Sequence, residues 1–124
     1  MIAAPPPSMH APATARAGAT VKVHATGVNP GRYTLILYQV VSNPPGGVAT
    51  ICLGKVGTGS AHGGTVKIAG RLPTRLACHQ DEGETLGHIT AAPGHYELAM
   101  GHFEPPAGFD GNETYLKRAI TLSS

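Results

Sequence analysis

The segment Arg32-Tyr33-Thr34-Leu35-Ile36-Leu37-Tyr38-Gln39-Val40-Val41 decides the fold. Side chains alternate across an extended chain, so Tyr33, Leu35, Leu37 and Val41 share one face and Ile36, Tyr38 and Val40 the other. Both faces are apolar, which is the signature of a central strand covered on both sides. One open sheet cannot cover both faces of such a strand, so a second layer is required.

The segments on either side continue the period of two. Val21, Val23 and Ala25 alternate with Thr20, Lys22, His24 and Thr26, predicting a first strand over residues 19–26 with one buried face. Gly27-Val28-Asn29-Pro30-Gly31 turns the chain into the central strand. A third strand is expected over residues 48–53, and Val66 and Ile68 mark another over 65–69. Leu76 to His79, a weaker His88 to Ala91, His95 to Phe103, and a last strand carrying Leu116, Ile120 and Leu122 complete the set. Seventeen glycines and eleven prolines cut the chain into these short pieces, and no segment holds a helical period. The expectation is an all-β, two-layer immunoglobulin-like sandwich of seven or eight antiparallel strands over residues 18–124. At 124 residues there is room for one domain only, since domains cluster near about 100 to 150 residues. Residues 1–17 are rich in Ala and Pro and are expected to form a flexible tail of the kind that follows an export signal.

Cys52 and Cys78 are the only cysteines and fall on separate expected strands, too far apart for a CxxC redox or zinc motif. A structural disulfide is expected, contributing about 3 kcal/mol by closing a loop of about 25 residues, and with it an oxidising, exported location, periplasmic or at the cell surface. The nine Lys and Arg are scattered along the sequence with no basic run, which argues against nucleic acid as a partner. No apolar run reaches the roughly 20 residues that cross a bilayer.

Pro30-Gly31-Arg32-Tyr33-Thr34-Leu35 and Pro93-Gly94-His95-Tyr96-Glu97-Leu98 repeat one Pro-Gly-x-Tyr-x-Leu pattern, in which a turn launches a strand whose Tyr and Leu point inward together. The pattern resembles strand openings in immunoglobulin-like, transthyretin-like and carboxypeptidase-regulatory-like sandwiches of secreted proteins. With its Ala/Pro-rich start, the chain also resembles small exported proteins of Gram-negative bacteria, some of them known as surface antigens. That resemblance implies architecture and no catalytic residue.

Seven histidines raise the question of a metal. Met100 and His102 form an i, i+2 pair on one face, and thioether with imidazole suits Cu(I), with Met9 and His10 available to complete a set. Against this, Met100 shares its parity with Tyr96 and Leu98 and so reads as core. The segment Gly57 to Gly64 lacks the Gly-Lys-Ser/Thr of a phosphate loop and the Gly-x-Ser-x-Gly of a nucleophile elbow. It reads as a flexible hairpin loop, with Ser60 and His62 as binding candidates. Phe109, Asp110 and Asn112 are the candidates in the proline- and glycine-rich loop from Glu104 to Glu113, and Asn112-Glu113-Thr114 also fits an N-glycosylation acceptor. The reading is therefore a monomeric, non-enzymatic exported module that binds a protein or surface ligand through its loops, with copper carriage as the second reading and no other cofactor expected.

Overall fold

The computed structural model describes residues 6–42, 47, 49–80, 85–102 and 116–124. They form ten strands: β1 (Ser8–His10), β2 (Thr14–Arg16), β3 (Thr20–Thr26), β4 (Gly31–Ser42), β5 (Thr50–Ala61), β6 (Thr65–Arg71), β7 (Arg75–Gln80), β8 (Thr85–Thr90), β9 (Gly94–Gly101) and β10 (Leu116–Ser123). A three-stranded sheet in the order β1-β3-β6 faces a seven-stranded sheet in the order β2-β10-β9-β4-β5-β7-β8. All pairings are antiparallel except β2 with β10. The chain is thus all-β in two layers, with ten strands among the described residues where seven or eight were expected.

As the alternation requires, β4 lies in the middle of the larger sheet, between β9 and β5. Its odd-numbered face, Tyr33, Leu35 and Leu37, joins Leu98, Met100, Ile120 and Leu122 in the main core. The smaller sheet closes that core with Val21, Val23, Ala25, Val66 and Ile68. Removing so many aliphatic side chains from water is the main stabilising term, at about 25 cal/mol per Å² of apolar surface.

Two expectations are corrected. Residues 8–16 are not tail: β1 pairs with β3, β2 pairs with β10, and Met9, 4% exposed, enters the core. Composition hid this because two three-residue strands carry a single large apolar side chain between them. The segment Gly57 to Gly64 is not all loop either; β5 continues through it to Ala61, and only His62 to Gly64 make the hairpin into β6, closed by the His62–Thr65 bridge.

Gly57 and Gly59 of β5 are present because β6 crosses it at backbone distance. A Cβ on Gly59 would stand 2.7 Å from the Lys67 carbonyl oxygen, and one on Gly57 3.0 Å from Ile68 Cγ2. From the opposite side, a Cβ on Gly70 would collide with the Val56 carbonyl. The two layers therefore touch main chain to main chain at this corner, a known use of strand glycine.

Cys52 and Cys78 are directly opposite each other on β5 and β7 and are joined by a disulfide. The repeated Pro-Gly-x-Tyr-x-Leu pattern has a shared geometry. The Tyr33 hydroxyl donates to the Asn29 carbonyl at 2.9 Å and the Tyr96 hydroxyl to the Ala92 carbonyl at 2.7 Å, each four residues upstream. Gly31 and Gly94 supply the positive φ, 133° and 150°, that begins each strand.

The interlock at Gly70 is testable against Gly87, which has open space around its Cβ position and no positive φ. Gly70→Ala is expected to lower unfolding free energy by about 3 kcal/mol or more through the clash with backbone, and Gly87→Ala by about 0.5 kcal/mol or less. Urea denaturation of both variants reads the difference.

Candidate functional site

The second face of β4 builds the candidate site. Ile36 and Tyr38 pack with Ile51 and Leu53 of β5 and Ala99 of β9 into an apolar cluster on the side of the larger sheet turned away from the main core. Ile36 and Ala99 are fully buried, and Thr34 on the same face is 2% exposed. The sequence had to supply apolar side chains at alternate positions of three neighbouring strands to make this patch, over and above those the core needs.

Beside the cluster, the same face opens into a hollow of about 530 Å³ lined by Tyr38, Val40, His95, Glu97, Lys117 and Ala119 among others. Pairing fixes the positions: Tyr38 stands opposite Glu97, Ala99 opposite Lys117, and Glu97 opposite Ala119. The Tyr38 hydroxyl donates to Glu97 Oε2 at 2.9 Å, holding the carboxylate at the edge of the apolar patch. His95 Nδ1 lies 3.4 Å from Thr121 Oγ1. The hollow thus combines an apolar floor with an acid, a cation and an imidazole at its edge. A concavity of this size and mixed lining is typical of binding sites. Val40 and Val41, 49% and 46% exposed, extend apolar surface beyond it along β4.

A second hollow of about 430 Å³ lies at one end of the sandwich and is lined by Pro7, Val28, Tyr33, Met100, His102 and Leu116 among others. The structure thus brings Met100 and His102 to one hollow, Met100 as part of the core wall and His102 exposed. The His102 ring leans on Tyr33 with centroids 4.1 Å apart, and its Nδ1 is 2.8 Å from the Arg32 carbonyl oxygen. Donation to that carbonyl puts the proton on Nδ1 and leaves Nε2 as the nitrogen with a lone pair. Met9 and His10 divide, Met9 into the core and His10 outward. Among the described residues, no group of three or more His, Cys, Asp or Glu side chains is placed to hold a metal ion.

Of the loop candidates, Ser60 is exposed on β5 and His62 is at the β5–β6 hairpin. Phe109, Asp110 and Asn112 lie outside the described residues. What the sequence reading missed is the outward cluster as a site: Ile36, Tyr38, Ile51, Leu53 and Ala99 looked like ordinary strand residues. The signal was present in the two-sided apolarity of β4, which was assigned wholly to burial between layers. Among the described residues, no helix is long and apolar enough to cross a membrane.

Comparison with known proteins yields a fold and no family. No protein-family model matches the chain, and no curated protein matches it. Among solved structures the chain is similar to macromomycin, with a TM-score of 0.57 and 18% identity over 95% of this chain and 100% of that one. At that identity the likeness speaks for the all-β architecture alone.

Tyr96 also lines the first hollow, and burial pushes its phenol above the ordinary value of 10.0, partly offset by the bond to the Ala92 carbonyl. A raised value means that the folded state keeps its proton when the unfolded chain has begun to lose it. The corresponding stability is complete below pH 10 and is lost as the pH climbs through the folded-state value. Tyr96→Phe is expected to be less stable at neutral pH by about 1 kcal/mol but to lose less on going to about pH 11, read from denaturation midpoints along a pH series.

Proposed function

We propose that this chain is a non-enzymatic, exported binding module, periplasmic or at the cell surface, on an immunoglobulin-like sandwich, and that it engages a protein partner. The observation that carries the reading is the hollow lined by Tyr38, Val40, Glu97 and Lys117, with the exposed Val40 and Val41 at its edge. Exposed apolar side chains beside a hollow of mixed lining suit a partner that brings apolar groups of its own. Glu97, His95 and Lys117 at the edge supply the polar contacts that fix orientation. Phe109, Asp110 and Asn112 are proposed from the sequence as further contacts.

Two features support the compartment and the fold subtype. The Cys52–Cys78 disulfide is of the kind that persists in oxidising surroundings. The paired tyrosine hydroxyls bonding upstream carbonyls are corners of the sort found in immunoglobulin-like sandwiches.

The test is an affinity column bearing the folded domain, loaded with extract from the cell envelope. The reading expects a partner that is retained by the wild type, lost by at least about tenfold on a Val40→Glu, Ala119→Glu column, and kept on a Lys22→Glu column. Equal retention by all three columns, or no retained protein, contradicts it.

The second reading is copper carriage at Met100 and His102, favoured by the Nδ1 contact to Arg32, since metal-binding imidazoles commonly donate their other nitrogen to a carbonyl. Titration with Cu(I) under NMR is expected to shift the Met100 methyl and His102 ring selectively, with the effect removed in His102→Ala. Unmoved signals, or shifts spread over all histidines, contradict this reading.

A further inference from the structure

The outward face of the three-stranded sheet has a different chemistry. Alternation places Ser8 and His10 of β1, Thr20, Lys22, His24 and Thr26 of β3, and Thr65, Lys67, Ala69 and Arg71 of β6 on it, all exposed except the half-buried Thr65. Register sets them in rows across the sheet: Thr20 beside Arg71, Lys22 beside Ala69, His10 beside His24 beside Lys67, and Ser8 beside Thr26 beside Thr65. The His10 and His24 rings stack with centroids 4.8 Å apart. Between β3 and β6 runs a hollow of about 300 Å³ with Lys22, His24 and Lys67 on its walls. Cations, imidazoles and hydroxyls make up this face, with no acid among its residues.

The larger sheet carries the other six Lys and Arg, at Arg16, Arg32, Lys55, Arg75, Lys117 and Arg118. The scatter of basic residues along the sequence is thus undone by the register, which gathers three of them with two histidines on one flat surface.

The geometry points to this face as a docking surface for a linear polyanionic polysaccharide, bearing sulfate or carboxylate groups. Charge complementarity selects a polyanion, and rows of Ser and Thr hydroxyls beside the cations suit a sugar chain that presents anionic groups and hydroxyls together. A membrane fits less well, because among the described residues the exposed large apolar ones, Val40, Val41, Leu86 and Ile89, are on the other sheet. Single-stranded nucleic acid wants aromatic rings on which bases stack, and this face has no Phe, Tyr or Trp. A metal ion at the two imidazoles is disfavoured by Lys67 opposite His24.

The experiment measures binding of the full chain to heparin, the probe polyanion, by titration at about 0.1 M salt. Lys22→Glu, Lys67→Glu is expected to weaken binding about tenfold or more, whereas Lys55→Glu, Arg75→Glu, an equal charge change on the larger sheet, leaves it within about twofold. Equal weakening by the two charge-reversal pairs would mean that net charge and no particular face is read, and overturns the proposal. So does tighter binding to anionic phospholipid vesicles or to single-stranded DNA than to heparin.

Discussion

The close crossing of β5 and β6 is the constraint on which the rest of the structure depends. Val56 presents its carbonyl where Gly70 has no side chain, and Gly57 and Gly59 make room for Ile68 and the Lys67 carbonyl. Because the layers meet there without side chains between them, Val66 and Ile68 reach the centre of the sandwich and β3 is carried over the core beside β6. The same contact leaves the outward faces of the two sheets as separate surfaces.

That separation gives the domain two chemically distinct sides. On the larger sheet, one strand of alternating apolar residues serves two environments: its odd positions fill the core and its even positions form the Ile36, Tyr38, Ala99 cluster with neighbouring strands. On the smaller sheet, only one face of each strand is apolar, and the other is free to be basic. The tyrosine corners at Tyr33 and Tyr96 tie the starts of β4 and β9, the two strands whose outward faces carry much of the apolar cluster, to the turns before them.

Much of this was legible in the sequence because period-two alternation is a local signal. Val21, Val23 and Ala25, the central place of β4, the paired cysteines and the repeated Tyr-x-Leu openings all reached the positions that their spacing implied. What was not legible depended on contacts between distant segments. Glycine at 57, 59 and 70 reads as loop chemistry unless the opposing backbone is known, and Met9 reads as tail unless β3 is there to pair with it. The site was hidden for a related reason: apolar residues facing outward and inward look identical along one strand, and the basic face exists only once register sets Lys67 beside His24.

Amide hydrogen exchange on the native domain tests the central claim most directly, because β5 is either a continuous strand under β6 or the glycine-rich loop its composition resembles. The account predicts slow exchange for the cross-strand amides of residues 54–61, comparable with those of β4, and measurable protection at Ser8–His10. Exchange of residues 54–61 at the rate of an open loop, with β4 still protected, would contradict it.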